Sequence, residues 1–147
     1  MRAAQIEYTA DVKLVTFEAP SPAGPVERLG ALIEGRLVDL NLAYAVMLQR
    51  NGKDNARSLA DALVPPSMLA FLEMGEDALD EARSVLDFVR EELRPAGADL
   101  SGSRGERTLY KPDEVRWLAP VPRPGALRDF FAFEEHALKG AARRKEP

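Results

Sequence analysis

Apolar and polar positions change their period several times along the chain, and each change marks an expected element. Val12-Lys13-Leu14-Val15-Thr16-Phe17 alternates apolar and polar side chains, the two-residue period of a half-buried strand. Pro20, Pro22 and Pro25 then fall within six residues, too many for a hydrogen-bonded ladder, so a loop is expected. Two apolar runs, 29–33 and 37–40, flank Glu34-Gly35-Arg36. A glycine in that place supplies the positive φ of a tight turn, which predicts a hairpin.

Helical spacing follows. Asn41 is read as the N-cap of a helix through residues 42–48, which Asn51-Gly52 would close. A second short helix is expected over 56–63, ended by Pro65-Pro66. Pro66 suits the first turn of a third helix, on which Met68, Leu69 and Leu72 are expected to face inward. Gly75 breaks it. The longest helix is predicted over 77–93, because Leu79, Ala82, Leu86, Val89 and Leu93 recur every three or four residues.

From 96 to 107 the chain is polar and glycine-bearing and reads as a surface loop. Tyr110 and Val115-Arg116-Trp117-Leu118 are assigned to one final short strand, with Trp117 in the core. Residues 119–125 hold Pro120, Pro122 and Pro124 and read as an extended, polyproline-like connector. A last helix is expected over about 133–143. The reading is thus α+β: a small, mostly antiparallel sheet with a helical insertion, then a Pro-rich linker and a short C-terminal helix. Its divisions are residues 1–11, which show no clear period, 12–118 as the body, 119–127 as the linker, and 128–147 as a short tail.

Composition narrows the chemistry. The 147 residues are 46% hydrophobic and 30% charged, the balance of a globular domain. A net charge of −4 disfavours nucleic acid as a partner, and no apolar run approaches membrane-spanning length. A cytoplasmic compartment is the expectation. Cysteine is absent and His136 is the only histidine, which excludes disulfides, thiol nucleophiles and thiolate metal sites and leaves a structural zinc site short of ligands. Any bound metal would be a hard cation held by oxygen. Ser101-Gly102-Ser103-Arg104-Gly105 lacks the lysine of a phosphate loop, and no Gly-x-Ser-x-Gly elbow occurs. Lys139, Arg143, Arg144 and Lys145 read as a solvated helix end.

Asp129 and His136 stand seven residues apart, which on a helix places them on one face about 10 Å from each other. One metal ion cannot be reached by both at that distance. A carboxylate on a cation and an imidazole on neighbouring water or substrate would fit it, and so would an unremarkable surface pair. His136 alone has an ordinary pKa suited to acid–base work near neutrality. Phe130, Phe131 and Phe133 in one short tail need a cover: something outside this sequence, or a second copy of the chain in a homo-oligomer.

The run Leu118-Ala119-Pro120-Val121-Pro122-Arg123-Pro124-Gly125, followed by Arg128-Asp129-Phe130-Phe131-Ala132-Phe133-Glu134-Glu135-His136, resembles the domain junction of the fumarylacetoacetate hydrolase family. Upstream, Lys13-Leu14-Val15-Thr16-Phe17, Arg28-Leu29-Gly30-Ala31-Leu32, Val38-Asp39-Leu40-Asn41 and Leu63-Val64-Pro65-Pro66-Ser67-Met68-Leu69 resemble, in the same order, the N-terminal domain of its bacterial 2-oxo acid hydrolase and hydratase branch. The resemblance implies action on diketo, 2-oxo and enol acids with one Mg2+, Mn2+ or Ca2+. It implies Asp129 as a metal ligand, His136 as the general base that takes a proton from water, and Phe131 at a substrate-binding position. Many members have a tyrosine at that position, so the hydroxyl is lacking here, which puts fumarylacetoacetate itself in question but not the family. Their remaining metal ligands, a Glu-x-Glu pair and a later aspartate, lie in a C-terminal domain, and Glu73 and Glu76 precede Asp129 and do not match them. The resemblance also implies a start near Val12, with residues 1–11 an extension ahead of it. It implies residues 128–147 as the start of a catalytic domain whose remainder would cover Phe130, Phe131 and Phe133. The expectation is the front portion of a metal-dependent enzyme, inactive alone. The alternative is a non-catalytic domain for partner binding or oligomerisation.

Overall fold

A computed structural model describes residues 13–94, 100–102, 104–128 and 138–139. Its sheet is five-stranded and antiparallel, in the order β4-β3-β2-β1-β5: β1 (Lys13–Ala19), β2 (Val26–Ile33), β3 (Arg36–Asp39), β4 (Leu109–Tyr110) and β5 (Arg116–Trp117). Four helices lie between β3 and β4: α1 (Leu40–Arg50), α2 (Ala56–Leu63), α3 (Met68–Glu73) and α4 (Glu76–Leu93). This is the α+β architecture with a helical insertion that the periodicity predicts.

The β2–β3 turn has φ of 48° at Glu34 and 76° at Gly35. Positive φ at both central residues matches the right-handed twist of the flanking strands. The turn sets the register Ile33↔Arg36, Leu32↔Leu37, Ala31↔Val38 and Gly30↔Asp39. Alternation then sorts the side chains onto two faces. Leu29, Ala31, Ile33, Val38 and Leu109 join the helices in the main core, together with Phe71, Val85 and Val89. Phe17, Ala19, Leu37 and Tyr110 form a second, smaller cluster on the opposite face.

That second cluster exists because the sheet curls. In a flat sheet, β1 and β4 would be separated by three strand spacings, about 14 Å. Instead the rings of Phe17 and Tyr110 approach to 5.5 Å between centroids. Gly30, on β2 between them, makes room: a Cβ there would stand 2.8 Å from Phe17 Cε1 and 2.8 Å from Leu37 Cδ1. The short turn from β4 to β5, with Glu114 N–H donating to Lys111 O at 3.1 Å, joins the two edges of the curled sheet.

Several expectations are corrected. Tyr110 and the 115–118 segment belong to two strands at opposite edges, not to one. Trp117 is 42% exposed and its indole N–H donates to Pro112 O at 3.0 Å, so it is an edge residue and not core. The inward face of α3 is Met68 and Phe71, at 4% and 0% exposure, while Leu69 and Leu72 are 39% and 50% exposed. In a helix of six residues, inward positions three apart suffice to seat it, and the intervening leucines turn outward. The cap of α1 is Asp39, whose carboxylate accepts from Leu42 N–H at 3.0 Å, and Asn41 lies inside the first turn.

Other boundaries agree with the sequence pattern. Gly52, at φ 76°, closes α1, with its N–H donating to Gln49 O and that of Lys53 donating to Leu48 O. Helix α2 occupies the predicted residues, and Gly75, at φ 68°, separates α3 from α4. The middle of the predicted 96–107 loop is closed by a Ser101↔Arg107 bridge. Of the predicted C-terminal helix only Leu138 and Lys139 are described, and both are helical.

Candidate functional site

The chain from β5 onward is held against the sheet. Leu118 N–H donates to Thr16 O at 3.0 Å, and Thr16 Oγ1 donates to Pro120 O at 2.7 Å. Arg123 Nη2 reaches both carboxylate oxygens of Glu27, at 2.8 and 2.7 Å. The Pro-rich run is therefore tied to β1 and β2 before it reaches Arg128. Asp129, Phe130, Phe131, Phe133 and His136 lie outside the described residues, so the expected metal ligand, substrate contact and general base have no geometry here. Among the described residues, no group of three or more His, Asp or Glu side chains is placed to hold a metal ion.

What the described residues do assemble is a buried polar cluster at the junction of sheet and helices. Arg28 donates from Nε to Asp39 Oδ2 at 2.6 Å and from Nη2 to Asp39 Oδ1 at 2.9 Å, a two-pronged pair. Nη2 also donates to Asn41 Oδ1 at 2.9 Å. Asn41 Nδ2 in turn donates to Asp61 Oδ1 at 3.0 Å and Val64 O at 2.9 Å. Arg28, Asp39 and Asn41 are 7%, 0% and 0% exposed. Burial by itself would favour the neutral guanidine, but the bond to Asp39 and its charge outweigh that and raise the Arg28 pKa. Arg28 is thus a permanent cation, and Asp39 is committed to it and to the α1 cap.

Beside the cluster opens a cavity of about 570 Å³. Its floor includes Arg28, Asp39 and Tyr110, one wall is formed by α1, and its rim carries Lys53, Arg57 and Arg104. Tyr110 titrates above its ordinary range because it is buried and near the Asp39 charge. Its hydroxyl donates to Arg107 O at 3.1 Å, and the Arg107 guanidinium stacks 4.7 Å above its ring.

This cluster does not figure in the sequence reading, where Asn41 is a cap and Arg28 and Asp39 are strand positions. A signal was available. The two-residue turn at 34–35 forces Gly30 opposite Asp39, which leaves Arg28 diagonal to it on the same face. Opposite charges in such a place within apolar strands predict a buried pair.

Compared with family models, with curated proteins and with solved structures, the chain finds no match in any of the three. The reading of its function accordingly rests on its own residues and on the motif resemblance.

Proposed function

We propose that this chain is the N-terminal portion of a divalent-metal-dependent enzyme of the fumarylacetoacetate hydrolase type, acting on carbon–carbon bonds of diketo or 2-oxo acids. The observation that carries the reading is the order of its parts. An α+β body ends at β5, a Pro-rich run is pinned to β1 and β2 through Pro120 and Arg123, and Asp129 and His136 follow at once. A tethered connector of this kind delivers the next segment from a defined point on the sheet, which suits a junction between a positioning domain and a catalytic one.

In this reading Asp129 contributes one carboxylate to a bound Mg2+, Mn2+ or Ca2+, which would supply charge stabilisation for the enolate-like product. His136 takes the proton from the attacking water, and Phe131 offers an apolar contact to the substrate. A hard cation wants six or more oxygen ligands, and Asp129 is one. Glu73 is in α3 and Glu76 opens α4, on the helical side of the body, and neither is assigned a ligand role. The remaining ligands are assigned to residues outside these 147, and the chain on its own is inactive.

Exposed apolar residues favour the second reading, a partner-binding or oligomerisation domain, equally well. Trp117 on the β5 edge is 42% exposed and Leu127 in the connector is 92% exposed. A catalytic domain or a second copy seated there would cover them together with the phenylalanines of the tail.

The experiment is to incubate the purified chain with an acylpyruvate and Mg2+ or Mn2+, following the enol absorbance, and to titrate Mn2+ by its paramagnetic resonance. No turnover is expected, with millimolar Mn2+ binding that Asp129→Ala abolishes. Robust turnover by the chain alone would overturn its assignment as an incomplete site. Mn2+ binding indifferent to Asp129→Ala would overturn the metal reading and leave the partner-binding one.

A further inference from the structure

Of Asn41, Asn51 and Asn55, only Asn51 is followed by a glycine. An asparagine so placed can lose its side-chain amide without any enzyme. The next backbone nitrogen attacks the side-chain carbonyl carbon, and a glycine there has no Cβ to hinder the approach. Asn51 and Gly52 are both exposed at the end of α1, and a Cβ built on Gly52 would meet nothing of the surrounding fold within 4 Å. Water and base therefore reach the pair.

The fold holds the pair in the wrong geometry for that attack. Ring closure needs the Gly52 nitrogen on the Cβ side of the Asn51 Cα–C bond. At ψ 12° it eclipses the Asn51 nitrogen instead and points away from the side chain. The Gly52 N–H is also committed to Gln49 O at 2.9 Å, and the Lys53 N–H to Leu48 O at 3.0 Å. These cap bonds must break before the peptide can turn.

The neighbouring residue holds the cap in place. Arg50, the last residue of α1, pairs with Glu92 of α4 and stacks 5.6 Å over the Phe88 ring. Both contacts cross to another helix, so the final turn of α1 frays only when this clamp lets go. The two charged partners are 44% and 34% exposed, which makes the clamp weak. Local opening here costs far less than unfolding.

We propose that Asn51 is a deamidation site gated by the Arg50 clamp. Closed, the clamp protects it; open, it lets Asn51 convert to isoaspartate and aspartate. In the open state the Gly52 nitrogen bonds to Asn51 Cγ and gives up its proton, the Cγ–Nδ2 bond breaks, and ammonia leaves. Water then adds to one of the two carbonyls of the five-membered ring. Opening at Cγ restores the ordinary backbone with an aspartate. Opening at the main-chain carbonyl leaves the chain running through Cβ and Cγ, as isoaspartate. That extra methylene moves Gly52 and Lys53 out of register with their carbonyls. Either product also adds a negative charge at the negative end of the α1 dipole, which opposes reclosure. The loop so loosened leads into α2 and borders the cavity through Gly52, Lys53 and Asp54. The change is a one-way mark of how often α1 has opened at this end, and it involves none of the residues assigned to metal or proton chemistry.

The test is to hold the purified chain in warm, mildly alkaline buffer, with and without denaturing guanidinium. Residue 51 is followed by peptide mass mapping that separates aspartate from isoaspartate. Conversion is expected in both samples, at least about tenfold slower in the native chain, as reaction through a minor open state requires. Arg50→Ala should speed native conversion about fivefold, the joint loss of an exposed ion pair and a cation–π contact. Glu92→Gln should act in the same direction and less. Arg116→Ala, which breaks an exposed pair on the sheet, should leave the rate unchanged. A parental rate in Arg50→Ala, or equal acceleration by Arg116→Ala, would overturn the gating. Native conversion as fast as in guanidinium would overturn the protection, and no conversion at Asn51 in guanidinium would overturn the site itself.

Discussion

Asp39 does two things with one carboxylate. Oδ1 accepts from Leu42 N–H and from Arg28 Nη2, and Oδ2 accepts from Arg28 Nε. Removing it uncaps α1 and leaves a guanidinium buried without its counter-charge. Breaking a buried pair from one side costs about 3–5 kcal/mol, much more than the pair contributes relative to an apolar replacement. Asp39→Ala is therefore expected to lose most of the stability of a small domain, read as the urea midpoint. Arg116→Ala, which breaks only the exposed pair with Glu18, should leave that midpoint close to the parent. Similar losses from the two variants would show that the Arg28–Asp39 pair is not buried as described. At this scale the sequence was legible in its residue types but not in their roles. Asn41 has the chemistry of a cap and sits beside one. Only the position of Val64 and Asp61, brought back by α2, makes it a buried bridge between Arg28 and the second helix.

Among the elements, β2 carries the strictest demand. Its alternation sends Leu29, Ala31 and Ile33 to the helices, and Arg28, Gly30 and Leu32 into the curl. Gly30 is where Phe17 and Leu37 close over the strand, and a methyl group there would also stand 2.9 Å from Val38 O. Backbone cannot yield as a flexible side-chain end can. Gly30→Ala is thus expected to destabilise the fold by about 1–3 kcal/mol, against the usual gain when glycine in a strand is replaced. Its urea midpoint should fall, and a rise would sink the close packing inferred at this strand. Helix existence and extent were largely legible, since α2 and α4 follow their periodicity and Gly52 and Gly75 sit at positive φ. Pro66 was misplaced, since it precedes the Ser67 N-cap and lies outside the first turn of α3. Inward faces were less legible. Leu69 and Leu72 are as apolar as Phe71, and a six-residue helix has too few turns for period to choose between them. The edge strands failed for a similar reason: two residues each carry no period at all.

In the molecule as a whole, α1 is the hinge between the sheet and the remaining helices. It packs on β2, β3, α2 and α4, and its residues are buried on most sides. At its outer face it is tied to α4 by Arg50, which pairs with Glu92 and lies 5.6 Å over the Phe88 ring. Tyr44 faces Glu81 on the same helix, and burial together with that carboxylate pushes the phenol up to about 12 from its ordinary 10.0. The native state therefore holds this proton more tightly than the unfolded chain does. Its contribution to stability is complete below pH 10 and is lost as the pH rises through about 12. Urea midpoints measured across that window should fall, and Tyr44→Phe should flatten the decline. An equal slope in the variant would place the alkaline sensitivity elsewhere.

By itself the sequence determined the α+β class, the hairpin at Glu34-Gly35, the helical insertion and the Pro-rich connector. All of these follow from interactions local in the chain: period, turn chemistry, caps and the missing N–H of proline. It also singled out Asp129, Phe131 and His136, through the ordered resemblance of their segment and those before it. Only the tertiary structure decided that the sheet curls, that Tyr110 and Trp117 lie at its two opposite edges, and that Arg28, Asp39 and Asn41 meet Asp61 and Val64, at the C-terminal end of α2, in one buried cluster. Those are contacts between residues far apart in sequence. They depend on where β2, α1 and α2 come to rest against each other, and no single segment carries that information.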